Sequence, residues 1–236
     1  KIFVYNSLTM NEVDKWQKFW KDKTDPGHGV KDCDHLFPRT PEEYFRLYAK
    51  ELTFLFDNRT SKILEIGCGN GSLFPFYGFD NMTYKGVDFS QSMLNEFQNK
   101  FPDINVGCHE ASSYLDKETY ELIFSNQVVQ FFDNQMFSDH LSNAKKMMAP
   151  NAILVCASIP WKQQKFRYIL GKIDPQVPKK ILKKVLKNII TPNNLAVGNW
   201  FDFQDIRNLA RQHGFTVEFY PSMCYLYRFH AVLKIA

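Results

Sequence analysis

Apolar positions along this chain recur with a helical period near the start and in short strand-like runs further on. Val13, Trp16, Phe19 and Trp20 fall at three- and four-residue spacing, so a helix is expected over Asn11 to Lys23. Thr24 to Arg39 reads as loop, punctuated by Asp25-Pro26-Gly27 and Gly29. Thr40 is then a good N-cap, with Pro41 at the first helical position and Glu43 at the third, a capping box. That helix should reach about Phe56, with Tyr44, Leu47, Tyr48 and Leu52 facing inward. From there on, short apolar runs at Lys62 to Ile66, Thr83 to Asp88, Asn105 to Cys108, Tyr120 to Asn126 and Ala152 to Ser158 read as strands. Between them lie a short helix interrupted by Pro75, a Ser90-capped helix over Gln91 to Lys100, and an amphipathic helix over Asn134 to Met148. Residues 160–198 break the alternation and carry a further helix, Pro178 to Ile190. Order returns with a helix over Asp202 to His213, Gly214 just past its end, and strands at Phe215 to Phe219 and Arg228 to Ile235. The last two strands have little between them and suggest an antiparallel hairpin. The pattern predicts an α/β fold, a doubly wound, mostly parallel sheet of seven strands.

The densest signal is K-I-L-E-I-G-C-G-N-G-S-L-F-P-F at Lys62 to Phe76. A buried parallel strand reads as an apolar run, and this one carries a single acid, Glu65. It ends in Gly67, Gly69 and Gly71, three of only 11 glycines in the chain. Glycines there allow a tight turn and a close approach of backbone to a ligand. Seventeen positions beyond Gly71 the second strand ends in Asp88. An acid near this distance binds a ribose hydroxyl in Rossmann-type sites. The dinucleotide form G-x-G-x-x-G would need glycine at position 72, which is Ser72, so a nicotinamide cofactor fits less well.

Glu65-x-Gly67-x-Gly69-x-Gly71 with Asp88 resembles the class I S-adenosylmethionine-dependent methyltransferases of small-molecule type, over about Lys62 to Ala236. The resemblance implies their sheet with its closing hairpin, S-adenosylmethionine as cofactor and S-adenosylhomocysteine as product. It implies that Gly67, Cys68 and Gly69, with Gly71, present backbone to the methionine part of the cofactor. Glu65 is similar to the first-strand acid that faces the cofactor amine, and an acid paired with a nearby amide is the alternative. Asp88 would accept from both ribose hydroxyls, and Phe89 and Met93 would flank adenine. Glu110, with Ala111 and Ser112, stands where the family often has an aspartate for the adenine amino group. Ser125, Asn126 and Gln127 align with the loop beneath the methyl group. Gln130 replaces a histidine frequent in these enzymes, which removes an obvious general base.

Composition narrows the picture. The 236 residues suit one methyltransferase domain: a helical lid over 1–60, a cofactor core over 61–158, a cap insertion over 159–199 and a closing segment over 200–236. Aromatic content is 16%, with 22 Phe and 11 Tyr, which favours a large apolar core and an aromatic-lined pocket. No apolar run is long enough to span a membrane, the start lacks a secretory h-region, and five scattered cysteines form no C-x-x-C pair. A cytoplasmic location is expected, without a metal site. Net charge is +4, concentrated between Lys162 and Lys187, where nine basic residues face one acid, Asp174.

Transfer of a methyl group from a sulfonium needs positioning above all, and a base where the acceptor must lose a proton. Of six histidines, His28 and His35 in the N-terminal loop are the candidates for that base. Arg39, as an anion contact, and Tyr44 are candidate pocket residues. In the cap, Trp161, Arg167 and their neighbours Phe166 and Tyr168 could line an acceptor pocket. The lysine face of the cap helix reads first as a solvated helix face, with a phosphate-bearing substrate, a membrane surface or nucleic acid as the other readings. The expected partner is a small polar acceptor methylated on oxygen or nitrogen, carrying phosphate or a sugar. RNA methylation, a non-catalytic partner subunit and a nicotinamide-dependent oxidoreductase are the alternatives.

Overall fold

The computed structural model describes residues 40–58, 61–169 and 198–236. Their elements are α1 (Pro41–Phe54), β1 (Ile63–Ile66), α2 (Phe74–Tyr77), β2 (Tyr84–Asp88), α3 (Gln91–Lys100), β3 (Asn105–Cys108), β4 (Tyr120–Asn126), α4 (Asn134–Met147), β5 (Met148–Pro160), α5 (Lys165–Ile169), α6 (Phe203–Gln212), β6 (Phe215–Pro221) and β7 (Arg228–Ile235). The strands form one sheet in the order β3-β2-β1-β4-β5-β7-β6. All neighbours are parallel except β7, which runs antiparallel to both β5 and β6. This is the seven-stranded, mostly parallel sheet with a closing hairpin that the periodicity implies. The helices expected at Asn11 to Lys23 and Pro178 to Ile190 lie outside the described residues.

Local chemistry explains the element ends. Thr40 accepts from the Glu43 amide at 3.1 Å and starts α1. Asp133 caps α4 and Ser90 caps α3. Asp202 and Asp205 form a reciprocal capping box on α6. Alternation along each strand divides the core in two. Ile63, Leu122, Phe124, Val155 and Val232 face one side and pack with Tyr44, Tyr48 and Leu52 of α1, Tyr77 of α2 and Phe97 of α3. Leu64, Ile66, Ile123, Leu154 and Phe229 face the other, under Phe137 and Leu141 of α4 and Ile206 and Ala210 of α6. β5 carries a bulge between Cys156 and Ile159. Ser158 sits there at φ +56°, a left-handed conformation that is uncommon for a side-chain-bearing residue.

Two buried ionisable groups mark where the sheet meets its helices. Glu65 of β1 is 5% exposed, and its carboxyl accepts from the hydroxyls of Tyr84 (2.5 Å) and Tyr77 (3.4 Å). Burial outweighs these bonds and raises its pKa to about 8, so it is largely protonated at neutral pH. On the opposite face His140 bonds the Ala111 carbonyl through Nδ1, and burial lowers its pKa to about 4. The two act oppositely on stability. His140 stays neutral in the fold, so stability rises with pH between about 4 and 6.5. Glu65 keeps in the fold a proton the unfolded chain has released, so stability falls as pH rises from 4.5 towards 8.

Thermal or urea unfolding between pH 6.5 and 8 should therefore show a loss of about 1 to 2 kcal/mol that Glu65→Gln abolishes; parallel pH profiles for the two proteins would contradict a protonated Glu65. Gly71→Ala should lower the free energy of unfolding in urea by at least about 2 kcal/mol. Gly71 has φ +69°, and an added Cβ would lie 2.8 Å from the Phe97 ring.

Candidate active site

The loop after β1 is tied to the end of β2 by three hydrogen bonds, and a fourth closes the turn that follows β2. Gly67 and Cys68 amides donate to the Val87 carbonyl at 2.7 and 3.1 Å. The Gly69 amide donates to Asp88 Oδ2, and the Ser90 amide to Asp88 Oδ1, both at 2.9 Å. Asp88 is 8% exposed; burial pushes its pKa up, while the amides of Ser90, Gly69 and Phe89 pull it down. The three glycines serve different ends. Gly67, at φ +84°, leaves room for Val128 of the loop after β4, whose Cγ2 would lie 2.2 Å from an added Cβ. Gly71 makes way for Phe97. Gly69, at φ +55°, has nothing nearer to such a Cβ than Met93 Sδ at 3.7 Å, so its face is open towards the carboxyl ends of the strands. A backbone cradle with one open glycine, an aspartate beside it and Met93 across it fits a nucleoside cofactor at the place where the sheet's strand order reverses.

The other anticipated residues divide. Phe89 and Met93 are half-buried beside this cradle. Glu110 lies at the end of β3, where its carboxylate accepts from the Ser112 amide and hydroxyl and the Ser113 amide. Burial would raise its pKa, but these bonds outweigh it and hold the group below its usual range. Oε1 carries only the shared Ser112 amide. Ala111 gives its carbonyl to His140. Asn126 and Gln127 stand at the end of β4 facing α1 and the hairpin: Asn126 Oδ1 accepts from Tyr48 at 2.5 Å, and Gln127, at φ +59°, donates to the Tyr225 hydroxyl at 3.2 Å. Tyr44 is buried with its hydroxyl bonded to Tyr225.

Four expectations change. Glu65 is held by two tyrosines instead of an amide, and its carboxyl braces β1, α2 and β2 rather than facing outward. Ser125 is fully buried on the opposite face from Asn126, beside Cys156, whose thiol burial pushes up to about 12. Trp161 stacks on Phe203 at 5.0 Å and packs with the α4/α6 face. The bulge at Ser158 turns two successive side chains to one side, so every residue after it is displaced to the opposite face from simple alternation. Arg167 is exposed and, among the described residues, bonds Gln164; of the cap aromatics described, Tyr168 packs inward, against Tyr227 and Trp200. His28, His35 and Arg39 lie outside the described residues.

What the sequence reading missed is a buried polar network behind Asn126. Ser158 is its hub. Its hydroxyl bonds Tyr48, its amide donates to His230 Nδ1 at 3.2 Å, and its carbonyl accepts from Arg228 Nη1 at 2.6 Å. Because Nδ1 receives an N–H, the His230 proton sits on Nε2 and is donated to Glu51 Oε1 at 2.7 Å. Glu51 also accepts from the Ser222 hydroxyl and the Met223 and Cys224 amides. Burial would raise the Glu51 pKa, yet His230 and these donors hold it below the usual range. Gln130 accepts from Arg228 at 2.5 Å, so the glutamine that stands in place of a histidine anchors a guanidinium. Arg228 and His230, polar at alternate positions ahead of the apolar run Ala231 to Leu233, were the available sign of this network.

Among the described residues, no helix is long and apolar enough to cross a membrane. Residues 41–218 match the family model described as a methyltransferase domain. An uncharacterised methyltransferase of Schizosaccharomyces pombe is 30% identical over 117 residues, 45% of this chain and 45% of that protein. The malonyl-[acyl-carrier protein] O-methyltransferase 1 of Ilyobacter polytropus is 34% identical over 79 residues, 31% of this chain and 30% of its own length. The chain thus spans less than half the length of these curated relatives. Solved structures agree in fold. DesVI of Streptomyces venezuelae superposes with TM-score 0.60 at 13% identity, covering 91% of this chain and all of that one. Magnesium protoporphyrin IX methyltransferase of Synechocystis PCC 6803, with bound S-adenosylhomocysteine, does so with TM-score 0.60 at 16% identity, covering 96% and 95%. The glycine cradle, its aspartate, the strand order and the family match together place this chain among the class I S-adenosylmethionine-dependent methyltransferases.

Proposed function

We propose that this methyltransferase modifies an oxygen or nitrogen of a small polar acceptor, one that carries a sugar or a phosphate. The observation that supports it is the cluster of hydrogen-bonding side chains at the carboxyl ends of β4 and β5, where ligands bind in such sheets. There Asn126 and Gln127 stand beside the hydroxyls of Tyr48 and Tyr225. Polar groups of fixed orientation suit a polar acceptor, and the aromatic rings beside them suit a compact one. The reading of nucleic acid as acceptor draws only on the lysine-rich stretch, most of which lies outside the described residues.

In this reading Asp88 accepts from the ribose hydroxyls with the lone pairs its amide donors leave free. Gly67, Cys68 and Gly69 hold the methionine portion, while Phe89, Met93, Ala111 and Glu110 border the adenine. When bound, S-adenosylmethionine supplies an electrophilic methyl group. The protein's own part is to hold the acceptor in line with it and to exclude water. Among the described residues no histidine is free to act as base at this cluster. His230 has both nitrogens engaged, His140 is on the far face, His213 bonds Ser138 and Ser142, and His109 leans on Tyr114 at the outer end of β3. An acceptor that is already nucleophilic at neutral pH is therefore favoured, and His28 or His35 would be the base if one is used.

Calorimetric titration with S-adenosylmethionine tests the cofactor assignment. Asp88→Ala should raise the dissociation constant at least about tenfold, equivalent to about 1.4 kcal/mol; an unchanged constant in a folded variant contradicts the ribose role. Transfer of labelled methyl from S-adenosylmethionine to small hydroxyl, carboxyl and amine acceptors, compared with bulk tRNA, tests the acceptor class. Label in tRNA alone would overturn it.

A further inference from the structure

Arg228 is 5% exposed, opens β7 opposite Pro160 at the end of β5, and makes no ion pair with any acid among the described residues. A buried guanidinium without a carboxylate is costly, because it has left water without a counter-charge. Its compensation here is partial. Nη1 donates to Gln130 and to the Ser158 carbonyl, the guanidinium also hydrogen-bonds the Tyr227 hydroxyl, and the rings of Tyr225 and Tyr227 lie 5.5 and 5.1 Å from its Cζ. Nε has no partner. Beside Tyr227, at 6.0 Å between ring centroids, Trp200 is 8% exposed, and its indole N–H likewise has no acceptor. Tyr168 joins the two, 4.4 Å from Tyr227 and 5.5 Å from Trp200. Two buried donors thus lack acceptors within one group of aromatic rings, and one of them is charged.

The group adjoins the polar cluster at the ends of β4 and β5. Gln127 at the end of β4 bonds the Tyr225 hydroxyl, and the Tyr225 ring carries the guanidinium on its face. Buried donors are almost always paired, so an excess of them on one side of a site calls for a ligand rich in acceptors. The nearest acid of the network, Glu51, is committed to His230, Ser222, Met223 and Cys224.

We propose that Arg228 and the Trp200 N–H form an oxyanion-anchoring site, which holds a carboxylate or phosphate of the methyl acceptor against the Tyr168–Tyr227 rings. This deepens the reading of the polar cluster as the acceptor site and rests on it. Arg228 then serves two ends at once. Nη1 fixes the backbone at Ser158, and the remaining edge reads the substrate's charge, the fork geometry for which arginine suits such groups.

The test uses the full chain loaded with S-adenosylhomocysteine and two probes, inorganic phosphate and malonate, titrated by ligand-observed NMR at ionic strength held constant with chloride. Millimolar binding of at least one probe is expected, weakened at least tenfold by Arg228→Gln and several-fold by Trp200→Phe, with the S-adenosylhomocysteine affinity unchanged. The tighter probe assigns phosphate or carboxylate. Should Arg228→Gln fail to fold, Trp200→Phe, which keeps an aromatic ring and removes only the donor, carries the decision. Failure of the wild-type chain to bind either probe, or equal binding by the variants, overturns the inference while leaving the cofactor reading intact. Loss of S-adenosylhomocysteine binding in the wild-type chain would instead count against the cofactor reading, and the probes would then be titrated into the cofactor-free protein with the same criteria.

Discussion

The carboxylate of Asp88 accepts one hydrogen bond from Gly69 and one from Ser90, and the architecture of the cofactor end follows from that pair. One bond fixes the glycine turn after β1, and the other fixes the start of α3 after β2. The shared acceptor adds to the Gly67 and Cys68 bonds to the Val87 carbonyl, so the two loops are held to one another at three points. The same residue closes two turns and leaves lone pairs facing the open glycine. A buried carboxylate satisfied by backbone amides is rigid, and rigidity there is what a nucleoside-binding aspartate needs.

A second constraint governs the acceptor end. Ser158 is held through its hydroxyl, amide and carbonyl by Tyr48, His230 and Arg228. A left-handed conformation at a non-glycine residue persists only when its surroundings over-determine it, and here three separate side chains do so. The bulge it creates sets which way Trp161 faces.

Much of this was legible beforehand. The strands of the parallel core and the Ser90-capped helix follow from apolar runs and capping chemistry that act within a few residues, and their observed bounds match closely except in β5, which runs from Met148 to Pro160 instead of Ala152 to Ser158. The glycine turn and Asp88 were readable because their spacing is itself the signal. The Ser158 network was not, since Glu51 and His230 are 179 residues apart in sequence and meet only once the closing hairpin has returned to the sheet. Trp161 was assigned to an acceptor pocket from its place at the start of the cap insertion, whereas it still belongs to the sheet edge after the β5 bulge and packs on the α4/α6 face. Ser125 was misplaced more simply: it is one residue before Asn126, and in a strand adjacent side chains look in opposite directions.

The segment expected to act as part of a lid contains a helix that is welded to the centre. α1 lends Tyr44 and Tyr48 to the polar cluster and Glu51 to the hairpin, and Ala49 and Leu52 are fully buried. Heredity should feel that joint. A lineage that alters the carboxylate of α1 strands the imidazole of β7, and through it the bulge in β5. Glu51, His230, Ser158 and Tyr48 are thus expected to pass to descendants as a set, whereas the exposed surface of α1 can drift freely.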